Sequence, residues 1–102
     1  MILHCVFIRF RPEIDRAAKA EIYHEIEMLG PLVPGMIGVK AGENVSPEGL
    51  HCGYDDGFIV TFEDAAARDA YLVHPAHKEV GAKIVAAAVG GTAGLLVFDL
   101  KA

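Results

Sequence analysis

The sequence predicts an α+β domain: a four-stranded antiparallel sheet that carries its helices on one face. Three observations predict it. Four short runs rich in β-branched and aromatic residues are separated by stretches of helical spacing, the order is strand, helix, strand, strand, helix, strand, and glycine and proline fall at the junctions. With 102 residues and no internal repeat, the chain reads as one domain over residues 1–102.

The first strand is expected over Ile2 to Phe10, an apolar run too short for a typical helix before Pro12. Asp15 is placed to cap a helix whose apolar face runs through Ala17, Ala18, Ile22, Ile26 and Leu29, and Gly30-Pro31 stops it. A shorter strand follows over Met36 to Ala41, then a polar loop from Gly42 to Gly53, and Asp55-Asp56-Gly57 reads as the end of that loop. Phe58 to Glu63 is the third strand. Asp64 caps Ala65 to Val73, and Pro75 suits the first turn of a new helix reaching about Ala88, where Gly90-Gly91 ends it. Leu95 to Leu100 is the last strand. This order is the split βαβ arrangement of a ferredoxin-like subunit.

Alternation along the strands shows two apolar faces. His4, Val6, Ile8 and Phe10 point one way, with Phe58, Val60 and Phe62 of the third strand. Leu3, Cys5 and Phe7 point the other way, with Ile59 and with Leu96, Phe98 and Leu100 of the last strand. Helices cover only one face. Leaving Leu3, Phe7, Ile59, Leu96, Phe98 and Leu100 in water forgoes on the order of 10 kcal/mol per subunit, at roughly 1.5 to 3 for each side chain. A homodimer whose two sheets face each other, closing a barrel, is the expected remedy.

Composition narrows the partners. The chain is 53% hydrophobic with 14 acidic against 9 basic residues, and its formal charge of −5 comes with no cluster of Lys or Arg. Nucleic acid and anionic membrane are therefore not expected partners. No apolar run is long enough to span a bilayer and Met1-Ile2-Leu3-His4 lacks signal-peptide character, so a cytoplasmic protein is expected. Cys5 and Cys52 lack the spacing of a zinc or redox motif and are expected as free thiols.

The chemistry-bearing string is Tyr71-Leu72-Val73-His74-Pro75-Ala76-His77. Histidine titrates near neutrality, so two histidines beside a tyrosine invite an acid–base reading. His77 shares a helix face with Val80 and Ile84 and so looks toward the sheet, where His4 also points. A pocket between sheet and helices holding His77, Tyr71 and His4 is one reading. The other is a core histidine satisfied by backbone groups, with His74 bracing the turn between two helices. His4, His74 and His77 lack a carboxylate or cysteine at a diagnostic spacing, so no metal is expected. His24 and His51 have no evident partners and are expected to face solvent.

The opening Ile2-Leu3-His4-Cys5-Val6-Phe7-Ile8-Arg9-Phe10-Arg11-Pro12, the middle Gly53 to Glu63, the Tyr-x-x-His-Pro-x-His string and the closing Val97-Phe98-Asp99 together resemble the stress-responsive dimeric α/β-barrel (Dabb) family. The resemblance implies a ferredoxin-like subunit and a dimer with a shared barrel. It also implies three alternatives for function. The first is a small-molecule binder, with Val6, Ile8, Ile22, Tyr23, Ile26, Phe58, Leu72 and Val80 lining the pocket with His4. The second is a cofactor-free acid–base enzyme like a polyketide cyclase of the family, with His77 as general base, Tyr71 polarising a carbonyl, and a small apolar carbonyl compound as substrate. The third is a stress protein without a ligand.

Overall fold

The computed structural model describes all 102 residues. Its elements are β1 (Ile2–Ile8), α1 (Arg16–Glu27), β2 (Met36–Glu43), β3 (Asp56–Phe62), α2 (Ala65–Val73), α3 (Pro75–Ala87) and β4 (Leu95–Lys101), with single 3-10 turns at Gly30–Leu32 and Gly91–Gly94. The sheet is antiparallel in the order β2-β3-β1-β4. This is the expected ferredoxin-like subunit. No helix is long and apolar enough to cross a membrane.

The helices begin where side chains satisfy their first free N–H groups. The Asp15 carboxylate accepts from the Ala18 amide at 2.8 Å and that of Asp64 from the Ala67 amide at 2.9 Å. Their apolar faces close over one side of the sheet. Ile22 and Ile26 of α1, Ala67 and Tyr71 of α2, and Val80 and Ile84 of α3 bury against Val6 and Ile8 of β1 and Phe58, Val60 and Phe62 of β3.

Several boundaries differ from the sequence expectation. β1 ends at Ile8 because the chain beyond it turns to the segment after α3: the Arg9 amide donates to Gly94, the Val89 amide to Arg9, and Phe10 forms a lone bridge with Ala88. β2 runs on to Glu43 and β3 begins at Asp56, because the ladder continues through Gly42↔Gly57 and Glu43↔Asp56. Asp56 is thus a strand residue rather than part of a loop. Its place opposite Ile8 turns it toward the helices, where it is buried with the Lys19 Nζ 3.0 Å away. The Lys19 Nζ also stands over the Phe10 ring, 5.2 Å from its centroid.

The opposite face carries Leu3, Cys5 and Phe7, flanked by Ile59 and Thr61 on β3 and by Leu96, Phe98 and Leu100 on β4. No element of the chain covers it. Phe98 is 56% exposed, and Leu96 and Leu100 are nearly as open. Phe7 gains cover by lying across Gly57, its partner in the ladder: a Cβ there would sit 2.8 Å from the Phe7 ring and 2.9 Å from the Val6 carbonyl. Both cysteines are free, Cys5 buried and Cys52 exposed.

Gly57→Ala should destabilise the fold by about 1–3 kcal/mol, because the clash involves backbone and a strand side chain with nowhere to move. Urea unfolding of the variant checks this, and an unchanged midpoint would show that the Phe7 ring swings away freely.

Candidate functional site

The residues with the most chemistry meet where β1 passes beneath α2 and α3. In β1, alternation turns His4 toward the helices, and it is 5% exposed. In α2, Tyr71 lies one turn beyond Ala67 on the buried face and is fully enclosed. The helix then stops at His74. Its backbone leaves the helical region, its Nδ1 accepts from the Ala76 amide at 3.0 Å, and Pro75 takes the first position of α3. His74 is the N-cap of α3, the bracing role read for it from sequence.

Three rings pack around that of Tyr71. The Tyr71 ring packs against Phe62 at 5.0 Å between centroids, against His4 at 5.8 Å edge to face, and against His77 at 4.3 Å. His77 is half-buried and donates from Nδ1 to the Leu72 carbonyl at 3.3 Å, so its Nε2 bears the lone pair. Burial is the main cause of a lowered His77 pKa; the Leu72 contact works against it, and His4 and His74 add to the lowering. Burial pushes the Tyr71 phenol up, so it stays protonated across the physiological range. Its hydroxyl is enclosed and has no hydrogen-bond partner. A neutral acceptor and an unsatisfied donor therefore stand side by side.

Behind His4 lies a charged network that the sequence reading missed. His4 Nδ1 is 2.7 Å from Asp99 Oδ1, across the β1–β4 ladder, and Arg68 Nη1 donates to Asp99 Oδ2 at 2.6 Å. Burial works to raise the Asp99 carboxyl, but the hydrogen bonds from Arg68 and His4 outweigh it and hold it below the usual carboxylate range. The available signal was the even spacing that puts Asp99 beside His4 once β4 is paired with β1.

The other expected site residues separate. Val6, Ile8, Ile22, Ile26, Phe58 and Val80 are buried in the packed core beneath the helices. Tyr23 is half-buried between Phe10 and Phe58, its hydroxyl enclosed without a partner, and burial, then Asp56 and Glu43, raise its pKa. Leu72 corrects the expectation: its side chain is 38% exposed, because a residue next to the inward Tyr71 lies on the helix's outer side, and it contributes only its carbonyl. His51 is a second correction. It is half-buried with Nε2 2.9 Å from Asp55, a pairing made possible by the tight loop through Cys52 and Gly53, both at positive φ. His24 is exposed as expected. A concavity of about 550 Å³ lies elsewhere: it opens on the uncovered sheet face, bounded by Phe7, Ile59 and Leu96 and by Leu50, Cys52 and Tyr54 of the long loop.

The stress responsive A/B barrel domain model matches residues 2–102. Olivetolic acid cyclase of Cannabis sativa is 31% identical over 80 residues, covering 78% of this chain and 79% of that protein. The stress-response A/B barrel domain-containing protein HS1 of Arabidopsis thaliana is 30% identical over 100 residues, covering 98% and 88%. Among solved structures, a dimeric ferredoxin-like protein of unknown function from Jannaschia sp. superposes with a TM-score of 0.91 at 35% identity, covering 99% of this chain and 98% of that one. The family match spanning residues 2–102 identifies the chain as a member of the stress-responsive A/B barrel (Dabb) family.

Proposed function

We propose that the chain works as a homodimer joined through its uncovered sheet face, each subunit binding a small neutral carbonyl or hydroxyl compound at the Tyr71–His77–His4 cluster. The observation that carries the binding reading is the Tyr71 hydroxyl. An enclosed hydroxyl without a partner costs roughly 1–3 kcal/mol, and a ligand oxygen that accepts from it offsets that cost. Neighbouring groups select the ligand. Tyr71 is held protonated and His77 is held neutral, so this pair offers one donor and one acceptor and carries no charge to attract an anion or a cation. Of the three only His77 is appreciably exposed, so a small molecule would approach Tyr71 from its side.

The dimer is supported by the open face of Leu3, Phe7, Ile59, Leu96, Phe98 and Leu100 and by the Jannaschia relative being described as dimeric. A second copy seated on this face also covers the concavity that Phe7, Ile59 and Leu96 line.

A second reading, acid–base catalysis without a cofactor, is favoured by the same pair of groups and by the likeness to a cyclase. His77 Nε2 would take a proton from a carbon next to a carbonyl while Tyr71 donates to the carbonyl oxygen, the two roles an intramolecular carbon–carbon closure needs.

Three outcomes test these readings. Tyr71→Phe should raise the melting temperature of the free protein, since the variant buries no unsatisfied hydroxyl, while abolishing the stabilisation that a panel of small ketones and phenols gives the wild type. A variant that loses stability and keeps ligand-induced shifts would sink the binding reading. Light scattering after size exclusion should give twice the 10.9 kDa of one chain, and Phe98→Asp should give the single-chain mass. An unchanged mass in the variant would place the interface elsewhere. For pH, the fold favours neutral His77, so the unfolded chain binds more protons below the ordinary histidine value of 6.5. Stability should therefore fall as pH drops from about 7 through 6.5 toward the lowered folded value, and His77→Gln should flatten that slope in urea titrations.

A further inference from the structure

We propose that Arg68 and Asp99 act as a tautomer clamp on His4: the carboxylate, held from behind by the guanidinium, keeps the imidazole proton on Nδ1 and leaves Nε2 as an acceptor for a hydroxyl of the molecule bound beside Tyr71. The ligand part rests on the binding reading above. The clamp stands on the free chain.

The chemistry of the three groups fixes the direction of every bond. Arginine only donates. Arg68 spends Nη1 on Asp99 Oδ2 at 2.6 Å and Nε on Asp69 Oδ1 at 2.8 Å, so its guanidinium is held by two carboxylates. Both oxygens of Asp99 are engaged, one by Arg68 and the other by His4 Nδ1 at 2.7 Å, so the carboxylate cannot turn without losing a partner. An ionised carboxylate only accepts, and Nδ1 must donate. A neutral imidazole carries one proton, so Nε2 bears a lone pair. That nitrogen has no hydrogen-bond partner in the chain, and its ring stands edge to face with Tyr71. Arg68 and Asp99 are positioning residues; His4 is the group that meets the ligand.

The clamp makes an unusual prediction for Asp99→Asn. Arg68 can be satisfied only by the oxygen of the new amide, which turns the NH₂ toward His4. Nδ1 must then accept, and the His4 proton moves to Nε2. Removing the arginine as well, in Arg68→Met with Asp99→Asn, frees the amide to present its oxygen to His4 and returns the proton to Nδ1. A merely structural role for the network predicts a fall in stability in each variant and no such reversal.

The experiment is long-range ¹H–¹⁵N correlation on the full-length protein at about pH 8, reading both His4 nitrogens. Expected are a proton on Nδ1 in the wild type, on Nε2 in Asp99→Asn, and on Nδ1 again in the double variant. A wild-type proton on Nε2 overturns the clamp and needs no variant to fold; an unmoved proton in folded Asp99→Asn overturns it too. Phenol and its methyl ether anisole probe the acceptor. The wild type should prefer phenol by about tenfold, one hydrogen bond's worth. Asp99→Asn should erase the preference, because an Nε2–H donates to either oxygen. A preference that survives in Asp99→Asn overturns the acceptor role. Should neither probe bind the wild type, the binding reading fails, with the acceptor role that depends on it, while the tautomer result judges the clamp separately.

Discussion

The central position of β1 is the constraint on which the rest of the molecule depends. Paired with β3 on one side and β4 on the other, it has a fixed register on both edges, and that register sets His4 between Val60 and Asp99. A slip by one residue would send His4, Val6 and Ile8 to the uncovered face and bring Leu3, Cys5 and Phe7 beneath the helices. Apolar side chains on both faces would make that slip cheap in hydrophobic terms alone. What opposes it is polar. Only in the observed register does the His4 imidazole meet the Asp99 carboxylate, and only there does Gly57 lie under the Phe7 ring. The charged network behind the site and the glycine on the far face therefore select the same alignment.

The same alignment divides the labour between faces. The helix side holds a closed core with a few polar atoms at its margins: the Tyr71 hydroxyl near β1 and the Tyr23 hydroxyl near Asp56. The other side holds a mainly apolar surface, with Thr61 and Lys40 among its few polar side chains. In the proposed function, association would use shape and area and recognition would use donors and acceptors, so the two tasks would not compete for the same residues.

The fold was legible because the signals it needs are local. Runs of β-branched residues, Asp15 and Asp64 as caps, and Pro75 at a helix start each act within a few residues, and all agree. The two-faced sheet was legible for the same reason, since a period of two can be read along each strand. Tyr71, His77 and His4 were legible as a group because residue type and face together bring them inward. What could not be read depends on pairing between distant segments. Asp56 becomes a strand residue only because β2 lies beside it, Asp99 matters only because β4 lies beside His4, and Arg68 matters only through Asp99. Leu72 was misplaced because the sequence string gives its neighbours but not the outward turn of its side chain, and His51 because its partner Asp55 is reached by a loop with positive φ at Cys52 and Gly53.

The break between α2 and α3 has a geometric consequence for the site. Along an unbroken α-helix each residue advances about 100°, so positions six apart, such as 71 and 77, differ by about 240° and face away from one another. Their rings could never touch. By leaving the helical conformation for one residue, the chain resets the phase of its winding, and the ring of His77 comes to lie on that of Tyr71. The pairing of an acceptor with a donor is thus stored in a discontinuity of the backbone rather than in either helix. A substitution that let the two helices fuse would leave every side chain of the cluster present and disassemble it.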